Sequence, residues 1–159
     1  VKELVFSTGK VAGIRIRRNT NAIAQYNISA PKETSISAPL KVDLTVDTKG
    51  KAINAVSLQL KFPTNRMKVL SMDTSNSFCE FFPENKYDNN TGIIRIACGL
   101  PTPGFTGVAP VATLTFEPLT IGSAKLEVLP KSAILLNDGR ATNILKEYPA
   151  REILILGNL

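Results

Sequence analysis

The chain has no histidine and no tryptophan among its 159 residues, and only two cysteines and two methionines. Without histidine, the Ser/His/Asp and Cys/His nucleophilic arrangements cannot be built, and the commonest side-chain metal ligand is missing. Without tryptophan, the aromatic platforms on which sugar rings usually stack are reduced to the scattered Tyr26, Tyr87 and Tyr148. The cysteines lack CxxC spacing, which argues against zinc and redox motifs. No apolar run approaches the roughly 18–20 residues of a membrane helix, and no long stretch repeats its apolar residues at a helical period. The sequence therefore offers no catalytic residue and no metal ligand set, and we expect a protein that is not an enzyme.

What the chain does have is period-two alternation. Val42, Leu44 and Val46 alternate with Asp43, Thr45 and Asp47; Val56, Leu58, Leu60 and Phe62 with Ser57, Gln59 and Lys61. Ala112, Leu114 and Phe116 alternate with Thr113, Thr115 and Glu117, and Leu126 and Val128 with Lys125 and Glu127. Each pattern gives a strand one dry and one wet face. Turn signals separate the runs at Lys49-Gly50, Asn89 to Gly92, Pro101 to Gly107, Gly122-Ser123 and Asn137-Asp138-Gly139. Short strands at this spacing predict an all-β, antiparallel sandwich or jelly roll, with Leu44, Leu58, Leu60, Leu114, Phe116, Leu126 and Ile155 inside. Met67 to Met72 reads as a short strand or the end of a loop. The last run, Glu152 to Leu156, is apolar on both faces, and such a strand is expected to be covered on both.

The first 21 residues stand apart from this domain, which we place at 22–159. Within residues 1–18, five basic residues (Lys2, Lys10, Arg15, Arg17 and Arg18) face one acidic residue, Glu3, a net +4 out of the chain's +6. No recognition helix or aromatic stacking motif accompanies this basic stretch, so nucleic acid is not an expected partner. The segment carries apolar residues at strand spacing, with Leu4, Phe6, Val11, Ile14 and Ile16 as candidate subunit-binding residues. An ordinary tail is polar throughout. This one is suited to act as an edge strand of its own domain or as a strand donated to a neighbouring copy.

Cys79 and Cys98 flank a hairpin turn and form either one disulfide or two buried thiols; the turn's register sets them a few residues out of line. Asp43, Asp47, Asp73, Asp88 and Asp138 are the acids a structural calcium ion would draw on, but their spacing is not that of an EF-hand, and ordinary turn or surface roles are expected. No cofactor is expected. Asn27-Ile28-Ser29 and Asn89-Asn90-Thr91 match the N-glycosylation pattern. Leu100 to Gly104 is a Pro/Gly loop.

Several motifs, in order, resemble those of the cohesin family. Lys51 to Met72 holds a polar turn, an alternating strand, the Pro-containing corner Phe62-Pro63-Thr64 and a Leu/Val-rich strand. Asn90-Thr91-Gly92-Ile93-Ile94-Arg95-Ile96 is similar to the family's central hairpin, Val111-Ala112-Thr113-Leu114-Thr115-Phe116 to its Ala-Thr-Ile-Thr-Phe strand, and Gly122 to Leu126 to the turn and strand that follow. Asn137-Asp138-Gly139 with Asn143-Ile144-Leu145 resembles cohesin-like modules of bacterial surface proteins. The resemblance implies a jelly-roll sandwich of about nine strands that binds a protein partner, in cellulosomes a dockerin, on one sheet face. It makes Asn54, Ser57 and Gln59 the partner-face candidates.

These readings converge on a secreted or cell-surface, non-catalytic protein. The first expectation is a structural subunit that assembles into a homo-oligomer or filament by donating its N-terminal strand. A cohesin-like module binding a separate protein comes next, and a carbohydrate-binding accessory module last.

Overall fold

The computed structural model describes residues 2–4, 16–18 and 22–158. In chain order the strands are β1 (Lys2–Leu4), β2 (Ile16–Arg18), β3 (Gln25–Ser29), β4 (Glu33–Ser35), β5 (Leu40–Asp47), β6 (Ile53–Lys61) and β7 (Met67–Asp73). They continue with β8 (Phe81–Asp88), β9 (Ile93–Gly99), β10 (Val108–Pro118), β11 (Gly122–Val128), β12 (Ala133–Leu136) and β13 (Ala150–Leu156). No described residue is helical, so none of them belongs to a helix able to cross a membrane.

The strands from β3 onward form two facing sheets. The smaller runs β3-β5-β10-β7, and the larger β4-β13-β11-β6-β9-β8, with β12 also paired to β6. All pairings within these sheets are antiparallel except β13 with β4. This is the all-β jelly-roll sandwich that the alternation predicts. It has more strands than the expected number because the short β4 and β12 add to the long alternating runs. Met67 to Met72 resolves as strand β7, pairing with β10.

The alternating apolar residues meet between the sheets. Leu44, Leu58, Leu60, Leu114, Phe116, Leu126 and Ile155 are all 1% exposed or less. Phe62 and Phe116, one from each sheet side, meet edge to face with ring centres 5.4 Å apart, the geometry aromatic quadrupoles favour. Tyr26 crosses the core from β3, and its one hydroxyl proton is shared between the carbonyls of Ser57 and Ala133, at 2.9 and 2.7 Å from the oxygen. Burial pushes its phenol well above the usual range, against the opposing effect of the Ser57 hydrogen bond.

Where a ladder ends early, a side chain supplies the missing hydrogen bonds. The Asn89 amide binds both backbone groups of Val69 on edge strand β7: Val69 N–H donates to Oδ1 at 2.7 Å and Nδ2 donates to the Val69 carbonyl at 3.0 Å. The buried Ser132 hydroxyl does the same for Gln59, between the stretches of β6 covered by β11 and β12. At the other end of the hairpin loop from Asn89, Gly92 has φ +75°, and a Cβ there would lie 2.3 Å from the Phe62 carbonyl oxygen. Only glycine fits that corner.

At the N-terminus, β1 and β2 pair antiparallel with each other, Lys2 opposite Arg18 and Leu4 opposite Ile16. They form a two-stranded ladder separate from both sheets of the sandwich.

Candidate partner-binding face

The register of the larger sheet decides which residues share its outer face. Ser57 pairs with Ala97, Gln59 with Arg95, and Lys61 with Ile93. On the far side of β9, Gly99 pairs with Phe81, Ala97 with Glu84, and Arg95 with Lys86. Residues directly opposite in a ladder point the same way, so these side chains form one surface.

The surface has two ends. At one, Ala55, Ser57, Ala97 and Gly99 make a floor of small residues, bordered by Phe81, whose side chain is on a residue 53% exposed. A Cβ at Gly99 would lie 2.7 Å from the Asn54 carbonyl oxygen and 3.0 Å from Phe81 Cζ. The ring thus rests on Gly99, and any larger residue would lift it. At the other end the face is charged. Lys86 and Arg95 are directly opposed like charges, an arrangement that costs a few tenths of a kcal/mol, up to about 1 kcal/mol, unless relieved. Glu84 meets Lys86 at 3.3 Å, and Lys125 meets Glu127 at 3.8 Å on β11, on the far side of β6.

Of the residues nominated from sequence, Ser57 and Gln59 lie on this face. Asn54 does not continue their row. Ile53 and Val56 are both buried with two residues between them instead of one, and the β12 partners shift register there. Asn54 therefore sits in a β-bulge, where its carbonyl accepts from Leu100 N–H at 2.9 Å. Phe81, Ala97 and Gly99 were not nominated. Phe81 lies in a stretch, Phe81-Phe82-Pro83-Glu84, with no alternation to read.

Cys79 and Cys98 are joined in a disulfide, with Cα atoms 5.7 Å apart. The expected offset is real, and the structure absorbs it. Cys79 precedes β8 and has left the ladder, Glu80 N–H donates to the Gly99 carbonyl, and a bulge follows between Phe81 and Glu84. Cys79 turns inward to reach Cys98, which is 3% exposed beneath the floor.

One expectation is overturned. Glu152 to Leu156 is covered on one face only. Ile153 and Ile155 are fully buried, but Leu154 and Leu156 remain 40% and 39% exposed. The strand lies between β11 and the three-residue β4, with these two leucines on its outer side.

The aspartates serve turns. Asp47, Asp73 and Asp88 accept backbone N–H groups from Lys49, Ser75 and Asn90, and these bonds hold their carboxyls below the usual range. For Asp138 the Thr142 hydroxyl is the larger cause and the Arg140 N–H the next. Asp43 accepts from the Thr113 hydroxyl at 2.7 Å. Among the described residues no three acidic or cysteine side chains converge as a metal site would require. Of the two glycosylation matches, Asn27 is exposed on β3, and the Asn89 amide is engaged on Val69. Of the subunit-binding candidates, Phe6, Val11 and Ile14 lie outside the described residues, and Leu4 and Ile16 are described as backbone in β1 and β2.

No family model matches the chain, and no curated protein matches it in sequence. Solved structures do match in three dimensions. A cohesin module from a family 33 glycoside hydrolase of Clostridium perfringens superposes with a TM-score of 0.70, covering 86% of this chain and 99% of that one at 11% identity. The chain has a cohesin-like fold. The third cohesin of ScaC from Acetivibrio cellulolyticus, solved with the ScaB dockerin, matches this cohesin-like sandwich with a TM-score of 0.66 at 17% identity, covering 84% and 99% of the two chains. The sixth cohesin of scaffoldin B from the same organism, solved with the Cel5 dockerin, gives 0.65 at 14% identity, with coverage of 83% and 99%.

Proposed function

We propose that this cohesin-like sandwich is a non-catalytic module that binds a protein partner on the outer face of its larger sheet. The observation that carries the reading is the floor of Ala55, Ser57, Ala97 and Gly99 with Phe81 exposed at its border. Small side chains let a partner's backbone come close, and an exposed aromatic ring beside them supplies the apolar anchor on which protein interfaces concentrate their energy. The cohesins solved with dockerins support a protein, rather than a sugar, as the occupant. A location outside the cell or on its surface fits the Cys79–Cys98 disulfide, since such bonds persist in oxidising compartments.

The test is surface plasmon resonance of the full chain against the ScaB and Cel5 dockerins and against secreted proteins of the source organism. A true partner should lose roughly 10–30-fold in affinity with Phe81→Ala, and more with Ala97→Arg, with unchanged circular dichroism. A partner that binds Ala97→Arg as tightly as the parent would sink this face as the site.

A second reading, assembly by donation of the N-terminal strand to a neighbouring copy, is favoured by one observation. β1 and β2 bond to each other, and among the described residues they join neither sheet of the sandwich, so the described part of the segment is strand-forming yet stands outside this domain's ladders. Head-to-tail donation of this kind builds filaments when it does not close into a ring. Sedimentation of the full chain and of a variant lacking residues 1–21 tests it: the full chain should associate with rising concentration and the shortened chain should not.

A further inference from the structure

Leu154 and Leu156 do not stand alone on the outside of β13. Gly122 pairs with Ile155, which sets Ile121 opposite Leu156, and Ile121 is 58% exposed. A Cβ on Gly157 would lie 3.0 Å from Ile121 Cδ1, so the isoleucine covers the end of β13. Ile121, Leu154 and Leu156 thus form one apolar strip, at the edge of the larger sheet remote from Phe81. Two exposed carboxylates border it. Glu33 is the β4 partner of Leu154, and Glu152 lies one alternation before Leu154 on the same face. Among the described residues neither closes an ion pair, and Lys125, opposite Glu152, is drawn to Glu127.

An apolar strip with an acidic border calls for an apolar segment with basic flanks. The chain contains one. Residues 1–18 carry Leu4, Phe6, Val11, Ile14 and Ile16 together with a net +4 from five basic residues and Glu3. The root of that segment and the strip lie at opposite ends of the sandwich. Ala24 is held beside Leu145, next to the Asp47 end of β5, whereas Leu156 accepts from Ile36 N–H next to the Leu40 end. The length of β5, about 23 Å at 3.3 Å per residue, separates the two levels. A root at one end and a seat at the other suit serial, head-to-tail contact between copies.

We propose that the strip of Ile121, Leu154 and Leu156, bordered by Glu33 and Glu152, is the seat for the N-terminal segment of a second copy of this chain. The proposal rests on the strand-donation reading and supplies its acceptor. The test mixes full-length Phe6→Cys with full-length Leu156→Cys under mild oxidation, beside sedimentation of the parent and of Leu154→Glu/Leu156→Glu. The expected result is a crosslinked species containing one chain of each kind, with association weakened about tenfold or more in the double-glutamate variant. If that variant does not fold, Glu33→Lys/Glu152→Lys, which alters exposed side chains only, should weaken association in its place. A parent that stays monomeric at high concentration overturns strand donation and the seat together. A parent that associates, with variants that associate equally well, overturns the seat and leaves donation standing. A crosslink that forms only within a single Phe6→Cys/Leu156→Cys chain makes the occupant the chain's own segment and overturns the second copy.

Discussion

The two sheets have equivalent inner faces and very different outer ones. Outside the smaller sheet, Lys41, Asp43 and Thr45 of β5 lie beside Thr113, Thr115 and Glu117 of β10, with Gln25, Asn27 and Ser29 on β3. Its large apolar exceptions are Leu70, at the β7 bulge, and Val108, at the start of β10. Outside the larger sheet, Phe81 is exposed at one edge and Ile121, Leu154 and Leu156 at the other, with a small-residue floor and opposed cations between. One outer face is mostly polar, with its two apolar residues apart. The other departs from alternation in the places where a partner would have something to gain. Alternation specifies how the sheets meet, and departures from it on an outer face point to what lies beyond the domain.

The equivalence of the inner faces is the easiest part to break. Leu58→Ala in the larger sheet and Phe116→Ala in the smaller should each cost about 2–5 kcal/mol in urea unfolding. A cost confined to one sheet would mean that the two do not share a core. Next in size is the disulfide, which belongs to the larger sheet alone. Reducing it should lower stability by roughly 3 kcal/mol in the chain-entropy account. Thiol labelling of the unfolded, unreduced chain should find no free sulfur, and two labelled sulfurs would contradict the bond.

The Asn89 clasp joins the hairpin of the larger sheet to the edge of the smaller one. Asn89→Ala removes two hydrogen bonds and should cost about 1–3 kcal/mol, with faster amide exchange at Val69. Acid should act more gently, and on both sheets. Asp47, Asp73, Asp88 and Asp138 have folded pKa values below their unfolded ones. Their contribution is therefore complete above the ordinary carboxylate range and is lost as pH falls through the lowered values. The melting temperature should be level near neutrality and decline below the usual carboxylate pKa, and a decline beginning above that range would point to other groups. The smallest effect sharpens the contrast most. Thr115→Val on the polar face and Leu154→Ser on the apolar strip should each move stability by no more than about 0.5 kcal/mol. A large loss in Leu154→Ser would make that leucine part of the domain's own packing instead of a surface waiting for contact.

Most of the fold was legible because one side of each long strand is dry. Outside their bulges, β5, β6, β10 and β11 can be read residue by residue, down to the side chains that fill the core. The candidate site was legible only in part. Ser57 and Gln59 follow from the alternation of β6, but the bulge that removes Asn54 from their row is a backbone event with no signature in Ala-Ile-Asn-Ala. β8 carries Phe81, the anchor we propose, and it is an edge strand with Pro83 and a bulge, guarded against further pairing in the way edge strands are. Such a strand has little alternation to show. The apolar outer side of β13 was visible, but sequence says only that leucines are present, not that the domain leaves them uncovered.

The parallel pairing of β13 with β4 has a consequence for the order in which this protein can be made. Leu154 lies beside Glu33, so the larger sheet joins one of its earliest strands to its latest. Until β13 arrives, β11 lacks its neighbour and the inward sides of Ala124 and Leu126 have no roof on that flank. A nascent chain can form the β8–β9 hairpin and the β5–β10 ladder while still being synthesised, but the sandwich closes only once Ala150 to Leu156 is free to insert. Contacts so distant along the chain are of the kind that slows folding. During that interval the chain is open to chaperones and proteases.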